Sequence, residues 1–156
     1  MLKKIVPLLV VALTVSGLSL YASARNDTAV HGFVRAADRS CFVEFGGAGT
    51  MVNTCGTTKN IVIPASQDHQ CTTGGHFRVN AQGNGAGNPV CCRVVSGFND
   101  QSAYFGALKC NSSPTAVEQF DVEHGKPGAD RWIFNCSVAP GARLLGVDWT
   151  PAGDCD

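Results

Sequence analysis

The sequence is poor in charge and contains no charged run, which argues against two classes of partner. Only 15% of its 156 residues are charged, and twelve Lys and Arg balance twelve Asp and Glu. The arginines are scattered singly, so no basic stripe exists of the kind that binds nucleic acids or anionic membranes. We therefore expect no nucleic-acid partner and, once an N-terminal leader is removed, no membrane partner.

Familiar catalytic and cofactor motifs are also missing. There is no Gly-x-Ser-x-Gly elbow of a serine hydrolase. The glycine-rich segment 83–89 lacks the lysine and helix start of a phosphate-binding loop. Asp68, His69, Cys71 and His76 are of ligand type, but their spacing matches no common closed zinc site. The sequence thus predicts no metal and no cofactor.

Long stretches of helical period are absent as well. Short apolar and β-branched runs are separated by Gly, Asn, Pro and Ser, which is typical of an all-β domain. The predicted strands are His31–Ala37, Ser40–Phe45, Thr50–Thr54, Asn60–Pro64, His76–Ala81, Val90–Ser96, Ala103–Lys109, Ala116–Val122, Arg131–Val138 and Arg143–Thr150.

Three of these runs alternate between apolar and other residues, as half-buried antiparallel strands do. The side chains expected in the core are Phe77, Val79, Ala81, Trp132, Phe134, Cys136, Val138, Leu145, Val147 and Trp149. About ten strands with turn-rich connections predict a disulfide-stabilised antiparallel β-sandwich of jelly-roll kind. A closed β-barrel is the alternative.

The N-terminus reads as a cleavable signal peptide. A lysine-bearing start precedes the apolar run Ile5–Tyr21, and Ala22-Ser23-Ala24 offers small residues for cleavage. An uncleaved anchor would need about 20 apolar residues, and this run is interrupted by polar residues. We expect residues 1–24 to be removed and 25–156 to form one domain, secreted or periplasmic. The short leader indicates a bacterial source.

Eight cysteines follow the leader, and an even set in a small exported chain predicts disulfides. They are Cys41, Cys55, Cys71, Cys91, Cys92, Cys110, Cys136 and Cys155. Their pairing is not deducible from spacing. Within a strand, the adjacent Cys91 and Cys92 point to opposite faces and reach different partners. The alternative is a strained, redox-labile bond between the two neighbours.

The best catalytic candidates cluster in one region. Glu118, Asp121, Glu123, His124 and Arg131 combine carboxylates, an imidazole and a guanidinium, the groups that a nuclease-like acid–base site would use. Ordinary charged residues on an exposed strand and turn would give the same pattern.

Binding is the other class of function. Tyr104, Phe105, Phe98 and Trp149 are aromatic residues that would suit a sugar or protein, and Phe98 lies between Gly97 and Asn99 in an expected loop. We expect a non-catalytic binding or surface-interaction module whose partner is a protein or carbohydrate surface. The alternative is a small secreted hydrolase that uses the region from Glu118 to Arg131.

Overall fold

A computed structural model describes residues 25–65, 75–122 and 128–151. Within them lie twelve strands and two short 3-10 helices. In chain order these are β1 (Arg25–Thr28), η1 (Ala29–His31), β2 (Phe33–Val34), η2 (Ala36–Cys41), β3 (Phe42–Phe45), β4 (Thr50–Asn53), β5 (Lys59–Ala65), β6 (Gly75–Gln82), β7 (Val90–Gly97), β8 (Ala103–Phe105), β9 (Lys109–Asn111), β10 (Glu118–Val122), β11 (Arg131–Val138) and β12 (Arg143–Pro151). No helix in this part of the chain is long and apolar enough to cross a membrane.

The strands form two antiparallel sheets that pack together. The first sheet has the order β10-β6-β12-β4-β3, and β1 also pairs with β12. The second has the order β2-β5-β11-β7-β8, and β9 also pairs with β7. Consecutive long strands such as β11 and β12 lie in different sheets, and each sheet has edge strands. The predicted all-β sandwich is confirmed, and the barrel alternative is wrong.

Alternation along the central strands builds the core. Trp132, Phe134, Cys136 and Val138 of β11 are all buried, as their period of two predicts. The ring of Phe77 from the first sheet meets Trp132 edge-on at 5.0 Å and Phe134 at 5.6 Å. Aromatic contacts across the two layers therefore hold the sheets face to face.

Several predicted strand boundaries were wrong. In the segment 31–37 only Phe33–Val34 is a strand, and 3-10 turns flank it. The segment 103–109 divides into the short strands β8 and β9, which pair with different parts of β7. The N-terminal β1 was not predicted, because pairing with β12 rather than an apolar pattern makes it extended.

A β-bulge in β12 changes which residues of that strand face the core, so the predicted core face was partly wrong. The register with β6 shifts between Leu144 and Gly146, so one extra residue is accommodated there. Leu144 is consequently buried and Leu145 is only half-buried, the reverse of the predicted arrangement. Beyond the bulge Val147 and Trp149 face the core as expected.

Three disulfides join the described cysteines: Cys41–Cys55, Cys91–Cys110 and Cys92–Cys136. The adjacent Cys91 and Cys92 thus have separate partners on β9 and β11, not each other. The Cys92–Cys136 bond lies in the core, whereas Cys91 and Cys110 lie on the outward side of the second sheet. Cys71 and Cys155 lie outside the described residues.

Two buried asparagines link the sheets with hydrogen bonds. The Asn53 amide in the first sheet donates to the carbonyls of Thr57 (2.9 Å) and Val138 (2.7 Å), and its side-chain oxygen accepts from the Cys55 amide (3.0 Å). Asn111 in the second sheet donates to the Ala81 carbonyl of the first (2.8 Å). The bonds to Val138 and Ala81 are buried and satisfy backbone carbonyls of the opposite sheet.

We expect removal of the core disulfide to destabilise the fold more than removal of the outward one. The Cys92–Cys136 bond closes a loop with a sequence separation of 44, against 19 for Cys91–Cys110. Loop closure alone gives costs of about 4 and about 3 kcal/mol, and the core pair also leaves a cavity. Urea unfolding of C92A/C136A and C91A/C110A measures this, and equal midpoints would contradict it.

Asn53→Ala should cost about 3 kcal/mol of unfolding free energy, since it leaves two carbonyls and one amide without their side-chain partner. The matched control is Asn60→Ala, because the exposed Asn60 side chain accepts only from the Ser137 hydroxyl. The control should change stability by less than about 0.5 kcal/mol. A small effect of Asn53→Ala in denaturant unfolding would show that the link between sheets is dispensable.

Candidate functional site

The described members of the predicted catalytic group do not come together. Glu118 begins β10 in the first sheet, and Arg131 begins β11 in the second. Arg131 faces outward and its side chain lies across Gly97. Asp121 faces outward from the first sheet and forms an exposed ion pair with Arg78 at 3.1 Å. Glu123 and His124 lie outside the described residues. Consecutive strands on different layers thus separate residues that are close in sequence.

Phe98 is less exposed than predicted. It is half-buried and packs against the core. The segment 98–102 folds back on itself, since the Phe98 amide donates to the Ser102 carbonyl and the Gln101 amide donates to the Phe98 carbonyl. In this turn the Asp100 carboxylate accepts hydrogen bonds from the Ser102 hydroxyl (2.5 Å) and amide (2.9 Å). The Ser102 hydroxyl, followed by its amide, lowers the pKa of Asp100 below its ordinary value.

The other aromatic candidates divide between core and surface. Trp149 is buried in the core. Tyr104 pairs with Ser96 on the inner side of β8, while Phe105 faces outward and is 55% exposed. Of the four aromatic candidates, Phe105 is therefore the one with a largely exposed ring.

The first sheet presents a cluster of hydrogen-bonding groups on its outer side. We call the outward side chains Arg78, Asn80, Gln119, Asp121 and Asp148 the polar face. The Asp148 carboxylate accepts from the Asn80 amide at 2.7 Å and from the Gln119 amide at 3.2 Å. Three strands, β10, β6 and β12, contribute these groups in register. The face offers planar acceptors and donors on a rigid support.

A shallow groove of about 230 Å³ runs along this face. Its lining is Asp27, Thr28, Asn80, Leu145, Gly146, Val147 and Asp148. Gly146 allows β1 to approach closely, since a Cβ there would lie 2.6 Å from the Asp27 carbonyl oxygen. The half-buried Asp148 carboxylate thus lies in a concave site with apolar surface from Leu145 beside it. Pockets that combine a few polar groups with apolar lining are typical of small-ligand sites.

An exposed aromatic ring lies farther along the same sheet. Phe45 is 53% exposed, and the Arg143 guanidinium lies 4.3 Å from its ring centroid. Arg143 is five residues from Asp148 along β12, or roughly 17 Å. A second opening of about 260 Å³ is lined mainly by apolar groups with Arg39. Without an amide or carboxylate side chain, that opening provides fewer acceptors than the groove.

Sequence reasoning missed the polar face for a physical reason. Asn80, Gln119 and Asp148 are distant in sequence, and only strand register brings them together. In the sequence, each of the three is a polar residue that alternates with core positions in a predicted strand. This pattern predicts that the side chain faces outward, but it does not predict which outward side chains are neighbours.

Ser102→Ala should raise the pKa of Asp100 toward its ordinary value, because the principal hydrogen bond to the carboxylate is lost. The folded pKa lies below the unfolded value, so this bond stabilises the fold above the unfolded pKa. That stabilisation is lost as the pH falls through the folded pKa. Carboxyl-detected NMR titration measures the shift. Ser102→Thr keeps a hydroxyl and should keep the pKa low; identical titrations of the Ala variant and the parent chain would contradict the assignment.

Comparison with known proteins shows a fold but no family. No known family model matches the sequence, and no curated protein is similar to it. Among solved structures, the CBM22-1-GH10 modules of Clostridium thermocellum endo-1,4-beta-D-xylanase 10B, complexed with xylohexaose, superpose with a TM-score of 0.56 at 12% identity. That match covers 87% of this chain and 29% of the other.

Two further structures resemble the chain. The apo form of BiXyn10A CBM1 has a TM-score of 0.52 at 8% identity, with 81% of this chain and 96% of the other covered. A family two carbohydrate esterase from Cellvibrio japonicus has a TM-score of 0.48 at 7% identity, with 82% and 33% covered. The chain thus spans about a third of the esterase and of the xylanase fragment. The two TM-scores above 0.5 show a shared β-sandwich fold.

Proposed function

We propose that this chain is a non-catalytic carbohydrate-binding module that binds an uncharged glycan on the polar face. The observation that carries the proposal is the Asp148 carboxylate, held by Asn80 and Gln119 beside a groove on an exposed sheet. Similarity in fold to modules described as carbohydrate-binding supports the same class of ligand.

The chemistry of the polar face suits sugar hydroxyls. A carboxylate accepts hydrogen bonds from hydroxyl groups, and the Asn80 and Gln119 amides each provide both a donor and an acceptor. These side chains are already oriented by bonds to one another, so little conformational entropy is lost on binding. The Asp148 carboxylate disfavours an acidic sugar beside it, whereas the Asp121 carboxylate is already paired with Arg78. The face therefore favours a neutral chain.

Export is part of the proposal. The leader-like segment 1–24 precedes a domain whose described cysteines are all in disulfides, and disulfides persist in oxidising compartments. We propose that the mature protein begins at Arg25, forms one domain and acts outside the cytosol. The hydrolase alternative gains no support from the described residues, because Glu118 and Arg131 lie on different sheets.

Asp148→Ala should weaken glycan binding by about ten- to a hundredfold, the usual range for a hydrogen bond to a charged group. Calorimetric titration with xylohexaose and cellohexaose measures this. Asp148→Asn keeps the size and removes the charge, and should give an intermediate loss. The matched control is Ser137→Ala on the outward side of the second sheet, which should bind as the parent chain does.

Two results would contradict this function. If the parent chain binds neither these two hexaoses nor any member of a panel of neutral oligosaccharides, the proposed ligand class is wrong. If Asp148→Ala binds as tightly as the parent chain, the ligand is not on the polar face. Release of new reducing ends during long incubation would show a hydrolase instead of a binding module.

A further inference from the structure

The outward side of the second sheet carries a row of apolar residues, one of which, Val95, is itself buried (7% exposed). Register places Pro64 (β5), Ile133 (β11), Val95 (β7) and Phe105 (β8) side by side. The neighbouring row contains Phe33 on β2 and Val62 on β5. We call these six residues the apolar strip. Its two ends are exposed rings: Phe33 is 69% exposed and Phe105 is 55% exposed.

The dimensions of the strip fit a slender ligand. The strip is about 19 Å long across five neighbouring strands, and its two rows of residues make it about 7 Å wide along the strands. Its area is about 130 Å², far below the roughly 800 Å² per partner that a stable protein pair buries. A second copy of the chain would therefore gain little from this surface. A single extended chain that crosses the strands would cover the strip from the Phe33 ring to the Phe105 ring.

Charge on this side differs from that of the polar face. The outward strand residues of the second sheet include two arginines, Arg93 and Arg131, and no carboxylate. Arg131 lies at the strand end next to Asp130, whereas Arg93 is central. Arg93 continues the row of Phe33 and Val62, and its guanidinium lies 4.9 Å from the Phe105 ring centroid. Among the described residues Arg93 has no acidic partner, so its charge complements an anion.

We propose that the apolar strip, together with Arg93 and Asn135, binds a linear polysaccharide that carries carboxylate groups. The C–H faces of the sugar rings pack on Phe33 and Phe105. The planar Arg93 guanidinium binds a carboxylate through paired hydrogen bonds. Asn135, which lies between Val62 and Arg93 in register, binds a hydroxyl group. This surface lies on the sheet opposite the polar face and is independent of it.

Polygalacturonate is the probe, and affinity electrophoresis or calorimetry measures binding. Phe33→Ala and Phe105→Ala should each weaken binding about tenfold, which is typical of a lost aromatic contact. Phe105→Leu keeps apolar bulk without the ring and should recover only part of the loss. Arg93→Gln should weaken binding about tenfold at low salt and remove most of the salt dependence.

Matched controls separate the two faces. Ser137→Ala lies on the same side outside the strip, and Asp148→Ala lies on the polar face. Both should bind polygalacturonate as the parent chain does, with thermal unfolding used to verify that every variant is folded. The two proposals use different probes and different variants. If the chain binds no neutral glycan at Asp148, the polygalacturonate experiment still tests the apolar strip.

Three outcomes would overturn the proposal. The parent chain fails to bind polygalacturonate, or the Phe33, Phe105 and Arg93 variants bind it unchanged. Alternatively, polyglutamate binds equally well and is equally affected by the variants, which would show recognition of an acidic polypeptide or of charge alone. Weaker binding to esterified, uncharged polygalacturonate is expected if the carboxylate is recognised.

Discussion

The structure depends on β11, which is paired along its length on both sides. It pairs with β5 over residues 132–138 and with β7 over residues 131–138, so it forms the centre of the second sheet. Its register then determines that Trp132, Phe134, Cys136 and Val138 all face inward. A slip of one residue would turn these side chains to solvent. The Cys92–Cys136 bond prevents such a slip at a paired position.

The same alternation explains why the adjacent Cys91 and Cys92 form disulfides on opposite sides of the second sheet. Cys92 stabilises the buried contact between β7 and β11, and Cys91 attaches the short edge strand β9 to the outer side of β7. With β9 held there, Asn111 can donate across to the first sheet. A covalent bond on the outside of one sheet thus supports a polar link between both sheets.

Strand alternation made the fold class predictable, and departures from alternation account for what was missed. Phe77, Val79 and the inner residues of β11 follow the simple period and were predicted correctly. Leu144 and Leu145 were assigned to the wrong sides of β12, because a bulge adds a residue to that strand. No local pattern in this apolar run predicts the bulge. The neighbours of Asp148 could not be predicted, since strand order and register are long-range properties.

Each sheet of a sandwich buries one side in the core. A ligand can therefore bind only on the two outer sides and the loops. Here those outer sides differ in chemistry. The first combines carboxylates with amides around a groove, and the second combines exposed rings with an arginine and lacks carboxylates on its strands. Rigid strands hold both sets at fixed spacing, so a ligand meets little mobile surface. With Asp148 on one side and Arg93 on the other, the two proposed sites would allow one small domain to hold a neutral chain and an acidic chain at once, about one sandwich thickness apart.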